Sequence, residues 1–527
     1  MSEMDSVKPH KGRRLGISRV KSGCITCRIR RIKCDEVKPS CNKCTSTGRV
    51  CDGYALVIRP VDGARERRVS RRPNPIGRSI SEGISGTETE RNFFYICRRA
   101  TSAGVALHIC STTSFWTQLA TQLSHEYEAV RHAVVAVGAA YHLYKVADVT
   151  SVPRSTKKQI ESFVLEQYNR SLYQLHKDIG RECFGQDSTI VLTCCLAYIY
   201  LESLRLDHAA AMKHLNNGIR IIEATVDLDR LAASQMSVAR KRQTTRRKTA
   251  LNDSDLWETV LEFRNCELCM HCFSSEVPMR LGSKLCQTTL PLRAITTHAT
   301  GFRSISEAHE ARVQIGSQIM SYDWQWQSHK FEPSFWVQNH VQETLAWLHR
   351  EVESITLRVE NYMLSTMKSS GDTTWEWYSL NMDMLHLTCL SVVIALMQTG
   401  PEHHHTVTCS DDFQRNFISK MIAYGEQMHS VYTSLKWPPP DISLETSIIG
   451  PMYWAYVYST EMQAKERALK VLQETTHREG PWDAKQILLK LATADLMNQQ
   501  PDDGTQTHRT ENSQLRKWGA ANSNCYE

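Results

Sequence analysis

The stretch Cys24-Ile25-Thr26-Cys27-Arg28-Ile29-Arg30-Arg31-Ile32-Lys33-Cys34 is followed by Cys41-Asn42-Lys43-Cys44-Thr45-Ser46-Thr47-Gly48-Arg49-Val50-Cys51. One cysteine spacing, x2 then x6, recurs from Cys24 to Cys41, from Cys27 to Cys44 and from Cys34 to Cys51 at a constant offset. A tetrahedral thiolate-binding metal takes four ligands, and each copy offers three. No histidine stands near, the closest being His10 and His108. Two zinc ions that share two sulfurs solve the count, because eight coordination positions are then filled by six cysteines. The internal symmetry selects the first cysteine of each copy, Cys24 and Cys41, as the bridges. Asp35 or water completing two separate sites is the alternative, and the thiolate preference of closed structural sites weighs against it.

The residues between the cysteines indicate what the metal is for. Between Cys27 and Cys34 four of six positions are cationic: Arg28, Arg30, Arg31 and Lys33. Two zincs and six thiolates leave a net charge of −2, and this run exceeds what balance requires. Continued as one helix, it puts Arg28 and Arg31 on one side, Arg30 and Lys33 on a second, Ile29 and Ile32 on a third. A metal-tethered basic helix suits the major groove, where arginine and lysine meet the guanine acceptors and also grip phosphates. The equivalent stretch of the second copy, between Cys44 and Cys51, carries one cation, Arg49, and that copy is expected to prop the first helix and touch phosphate.

Residues 20–54 resemble the fungal zinc binuclear cluster domain, the DNA-binding module of a large class of fungal transcription factors. The cysteine spacings, the basic run before Cys34, Pro39 in the connecting loop and Cys51-Asp52-Gly53-Tyr54 carry the likeness. The resemblance implies that Arg30, Arg31 and Lys33 face the groove, and that the bases read are CGG-type triplets. With it the expected DNA-binding set is Arg28, Arg30, Arg31, Lys33, Lys43 and Arg49, with Arg28, Lys43 and Arg49 on phosphates.

Charge agrees. Residues 1–75 hold 19 Lys and Arg against 7 Asp and Glu, a net of +12, whereas the whole chain is +7. The excess positive charge therefore sits at the amino end, as a polyanion-binding segment requires. Lys11-Gly12-Arg13-Arg14 and Arg65-Glu66-Arg67-Arg68 read as import patches for a nuclear protein. The opening segment, from Met1 to Val20, is polar and basic, unlike a secretory leader. Apolar stretches such as Ile190–Leu201 are shorter than the ~18–20 residues of a bilayer span, so no membrane partner is expected. Twelve of the 18 cysteines lie outside the motif without a framework, as buried thiols do in a reducing compartment.

The organisation expected is a basic disordered arm over 1–19, the cluster over 20–54, a linker over 55–90, an all-α domain of packed hairpins over 91–498 with a loop at 232–254, and a disordered tail over 499–527. Helical spacing recurs at Val130, Val134, Val137, Tyr141 and Tyr144, at Val164, Tyr168, Leu172, Leu175 and Ile179, and from Val341 to Val359. Ile190–Leu201 reads as a buried helix, with Met212, Leu215, Ile219 and Ile222 on its hairpin partner. Phe115-Trp116, the run Ala129–Val134, Glu202 and His214-Leu215-Asn216-Asn217-Gly218 resemble the helical regulatory domain of the same class of factors. His214 reads as a packed histidine over a glycine that lets helices approach. Cys266, Cys269 and Cys272 read as buried structural cysteines, because no second pair completes a metal site. His403-His404-His405 reads as a polar surface loop.

No phosphate loop, dinucleotide glycine pattern, nucleophile elbow or His-Glu-x-x-His helix is present, so the chain reads as a non-enzyme. No apolar heptad run supports a coiled-coil homodimer, leaving a monomer or pairing through the larger domain. The function expected is zinc-dependent, sequence-specific binding to double-stranded DNA in the nucleus, with the helical domain engaging transcription machinery or co-regulators. The rival is a protein-interaction regulator whose cluster no longer reads DNA.

Overall fold

The computed structural model describes residues 24, 26–27, 30, 32–37, 40–49, 51, 83–102, 115–147, 149–179, 188–240, 253–275, 277–288, 301–367, 375–397, 407–434 and 442–498. The chain divides into two compact units, residues 1–80 and 81–527, each taken by itself. The arm at 1–19, the tail at 499–527 and His403–His405 lie outside the described residues.

In the first unit the apolar centre is sulfur. Cys24, Cys27, Cys34, Cys41 and Cys44 are buried and Cys51 packs against them. A short helical turn enters at 26–27, and α1 (Asn42–Thr45) occupies the matching place in the second copy.

The second unit begins earlier than the sequence suggested. Helix α2 (Glu88–Ser102) starts inside the expected linker, because Thr87 and Glu90 form a capping box: the Thr87 amide donates to Glu90 Oε2 and the Glu90 amide to Thr87 Oγ1. A π turn (Phe115–Leu119) leads into α3 (Ala120–Glu126), and α4 (Glu128–Val146), α5 (Arg154–Ile179), α6 (Ser188–Arg205) and α7 (His208–Thr225) follow. Helix α6 is buried on nearly every side, and α7 is its hairpin partner. Asp207 caps α7 by accepting the Ala210 amide. Helices α8 (Leu228–Arg240) and α9 (Asp253–Phe273) take up both ends of the expected loop at 232–254, whose middle, 241–252, lies outside the described residues.

The stripe read on α5 is partly displaced. Val164 and Leu175 are buried, but Leu172 and Ile179 are exposed, and Gln167 and Ser171 take the inward face. Those two polar residues are tolerated there because they are bonded. Gln167 donates to Glu90 Oε1 and accepts from His132 Nδ1, while Ser171 donates to the Ala129 carbonyl. Gly218 on α7 faces Phe263 of α9 so closely that a Cβ would lie 2.1 Å from the ring, and His214 hydrogen-bonds the Tyr168 hydroxyl.

The remainder comprises α10 (Leu281–Thr288), α11 (Ile305–Trp326), α12 (Asn339–Met367), α13 (Trp375–Met397), α14 (Ser419–Ser434), α15 (Ile449–Tyr458), α16 (Met462–Glu474) and α17 (Ala484–Asn498). Val341, Leu345, Leu348, Val352, Ile355 and Val359 are all buried, as their spacing requires. One small sheet interrupts the helices. β1 (Ile442–Ser443) runs parallel to β2 (Arg478–Glu479), which pairs antiparallel with β3 (Trp482–Asp483). Buried carboxylates hold two helix starts. Glu479 accepts the amides of Ser447, Ile448 and Ile449 ahead of α15, and Glu267 accepts those of Arg280, Leu281 and Gly282 at α10.

The expectation about membrane spans needs correcting. Ser188–Arg205 and Glu376–Met397 have the length and hydropathy of a span, and 83% and 72% of those windows are buried inside the protein. Both are core helices, and a helix buried on most sides is as apolar as a membrane span.

Candidate metal centre and nucleic-acid interface

The two copies fold alike at the level of single hydrogen bonds. The Cys24 amide donates to Cys34 Sγ at 3.4 Å, and at the equivalent place in the second copy the Cys41 amide donates to Cys51 Sγ at 3.5 Å. The Ile32 amide reaches the Cys27 carbonyl at 3.1 Å, and the Arg49 amide reaches the Cys44 carbonyl at 3.1 Å. In the second copy the Gly48 amide also reaches the Thr45 carbonyl, so α1 ends in the Schellman manner, and both closures turn the chain back toward the sulfurs. In the second copy Gly48 takes the left-handed position at φ 64°, where a glycine carries no Cβ penalty.

That closure corrects the helical projection of the basic run. Residues 32–37 are not helical, so Lys33 does not continue the face of Arg30. The chain must leave the helix there for Cys34 to return to the other sulfurs. Lys33, Lys43 and Arg49 are exposed. Arg28 and Arg31 lie outside the described residues. Arg30 is half-buried, and its Nη1 donates to the Lys43 carbonyl and to Thr47 Oγ1, both at 3.3 Å. The guanidinium thus pins the first copy to the second, a role the sequence reading did not assign.

The sulfurs gather into two groups of four. Cys24, Cys27, Cys34 and Cys41 form one, Cys24, Cys41, Cys44 and Cys51 the other, and within each the sulfurs lie within 4.8 Å of one another. Cys24 and Cys41 belong to both. Zinc–sulfur bonds of ~2.3 Å in a tetrahedron put sulfurs ~3.8 Å apart. The structure has Cys24–Cys41 and Cys27–Cys41 at 3.5 Å and Cys24–Cys44 at 3.8 Å. All six are free cysteines. Burial pushes the Cys24 thiol up to about 12 and that of Cys41 further, so thiolates here need a cation in their midst. The donor set, spacing and N–H···S bonds fit zinc. Asp35 is occupied elsewhere: its carboxylate accepts the Asn42 amide at 3.0 Å at the start of α1.

Among the described residues no other group of three or more ligating atoms comes together. Cys266, Cys269 and Cys272 lie on α9; Cys266 and Cys269 are buried, Cys269 accepts a hydrogen bond from Thr446 Oγ1, and burial raises all three thiols. Such thiols are poor nucleophiles and pack as small apolar groups.

Residues 22–57 match the fungal Zn(2)-Cys(6) binuclear cluster domain. Over 232 residues the chain is 28% identical to the aspercryptin biosynthesis cluster-specific transcription regulator of Emericella nidulans, covering 39% of this chain and 35% of that protein. It is 28% identical over 236 residues to a Zn(2)-C6 fungal-type transcription factor of Aspergillus fumigatus, covering 43% and 58%. A transcriptional regulatory protein of Schizosaccharomyces pombe is 67% identical over 36 residues, 7% of each chain. The chain thus aligns with about a third to three-fifths of its first two relatives. No solved structure matches it.

Proposed function

We infer, from the fungal Zn(2)-Cys(6) binuclear cluster domain that residues 22–57 form, that the chain is a zinc-dependent, sequence-specific DNA-binding regulator of RNA polymerase II transcription acting in the nucleus. The observation that carries this reading is the pair of sulfur tetrads sharing Cys24 and Cys41. Bound there as two ions, zinc supplies the cross-links that the short segment from Cys24 to Cys51, unable to build an adequate apolar core, lacks.

The chain's own residues then do the recognition. Cys34 pulls the chain out of the first helix, so Lys33 is offered from a non-helical segment rather than from a helical face. Arg31 and Lys33 are assigned to base edges of a CGG-type triplet. Arg28, Lys43 and Arg49 are assigned to phosphates. Arg30 is assigned to the groove as well, and its bonds to Lys43 and Thr47 keep the Lys43 backbone in place. The helical unit is read as the surface that engages transcription machinery or co-regulators. The relatives named as transcription regulators support a regulatory rather than an enzymatic role.

The test is selection of binding sites from random duplexes by the full chain, with and without a chelator. Enrichment of one CGG-containing motif, lost on chelation and steeply weakened by salt, is the expected result. Equal recovery of all duplexes would refute sequence reading, and a flat salt response would refute the phosphate contacts.

A further inference from the structure

The helical unit holds a cavity of about 730 Å³, mouth included, among α9, α11, α13, α15 and the strand ends. It lies where separate cores abut. Cys269 and Trp482 belong to one apolar cluster, and Met320 and Leu390 to another. Small-molecule sites share its character, a concave apolar lining with a few convergent polar groups where separate cores meet. The walls are apolar, with Leu268, Val313, Leu390, Pro451 and Trp454 prominent, and a few polar groups stand among them.

Those polar groups are incompletely matched within the protein. Arg312 donates through Nε to Asp383 at 2.8 Å and shares a bond through Nη2 with His309 at 3.2 Å, which leaves Nη1 for another partner. The indole N–H of Trp482, a residue 2% exposed, has no hydrogen-bond partner. Glu445 Oε2 has none either, while its Oε1 accepts from Asn265 at 3.4 Å. Buried polar atoms are normally paired, so the Trp482 donor and the Glu445 acceptor left over beside one cavity need an explanation. His386, also on the wall, is committed to the Ser447 carbonyl at 2.9 Å.

The charges that face this place are Arg312 against Asp383 and Glu445, with Arg264 taken by Glu310. Positive charge is therefore already met, and an anionic ligand gains little. We propose that the cavity is a binding site for a small, uncharged, mostly apolar organic molecule bearing one carbonyl, amide or phenol-like group. Its body lies against the Leu268, Val313 and Trp454 walls. Its acceptor takes the Trp482 and Arg312 N–H groups, and its donor, where present, meets Glu445.

Gly316, in the middle of α11, provides the test. A Cβ there would sit 3.7 Å from Leu390 Cδ1 and 3.8 Å from Leu268 Cδ2, ordinary contact distances. Gly316→Leu therefore fills the cavity from a helix position where leucine is also the better helix former. The probe is N-phenyl-1-naphthylamine, an uncharged aromatic amine that fluoresces in apolar surroundings, titrated into the zinc-loaded full chain. One saturable site per chain, excited by transfer from tryptophan, is expected, with affinity reduced at least tenfold in Gly316→Leu at unchanged circular dichroism. Gly316→Ala, which keeps the fold should leucine not, is expected to lose affinity by a smaller factor. Unsaturable binding, or binding unchanged in a folded Gly316 variant, would overturn the proposal. Tighter binding of the anionic analogue 1-anilinonaphthalene-8-sulfonate would overturn the uncharged assignment.

Discussion

Removing a shared sulfur and removing an unshared one should have different consequences for the metal centre. Cys24→Ala leaves both tetrads with three sulfurs, whereas Cys27→Ala leaves the Cys24, Cys41, Cys44, Cys51 group complete. A structural zinc in a small peptide contributes an apparent ~10–16 kcal/mol, so a site that keeps all four thiolates retains its ion through dialysis against a mild chelator. The expected zinc content per chain is about two for the unaltered protein, about one for Cys27→Ala and about none for Cys24→Ala, by the ligand count of closed tetrahedral sites. Cys41→Ala should behave as Cys24→Ala does. Cys266→Ala, which alters a buried cysteine of α9, should keep both ions. Elemental analysis with native mass spectrometry reads the stoichiometry directly. Equal losses from Cys24→Ala and Cys27→Ala would refute the shared-sulfur reasoning.

Further outcomes follow from particular contacts. Arg30→Ala removes the bonds to the Lys43 carbonyl and Thr47, so the zinc-loaded cluster should become about 1 kcal/mol less stable even without DNA; a loss seen only with DNA present would make Arg30 purely a groove residue. Glu479→Ala strips three amides of their acceptor at the start of α15 and should cost roughly 3 kcal/mol or more in thermal unfolding, with a cost below about 1 kcal/mol refuting the cap. Gly138→Ala would put a Cβ 2.0 Å from the Phe93 carbonyl, and the resulting overpacking, about 1–3 kcal/mol, should outweigh the helix gain; a rise in melting temperature would refute that. Burial raises Glu445 from the ordinary carboxyl value to about 7 and lowers His386 to about 3. Glu445 holds its proton better in the folded chain, so its contribution is lost as pH rises from about 4.5 to about 7, while that of His386 is lost as pH falls below about 6.5. Between those limits they oppose each other, and Glu445→Gln should make stability rise more steeply with pH; an unchanged slope refutes the assignment.

The metal centre was legible because cysteine spacing is a local, exact-count signal, and the basic run lies inside it. Helices with one apolar stripe, such as the one through Val341 and Val359, were legible for a similar reason. Lys33 was misplaced because the helix ends where Cys34 must turn back, a demand that helical periodicity does not contain. The face of α5 was misread where Gln167 and Ser171 are buried by partners on other helices, Glu90, Ala129 and Tyr198, all distant in sequence. The cap that Glu479 gives α15 likewise reaches back from a strand beyond the next helix, and two-residue strands leave no alternation to read. The cavity has no sequence signal at all, since its walls come from four helices and two strand ends.

The cap at α15 also bears on the order of events during synthesis. Its carboxylate emerges from the ribosome only after the helix it holds, so that helix leaves with its first amides unmet. Until Glu479 appears, Ser447, Ile448 and Ile449 have only water to bond, and the core around them stays open to solvent. A nascent chain stalled before that point should therefore be a substrate for chaperones and proteases, while its α4–α7 half can already be closed.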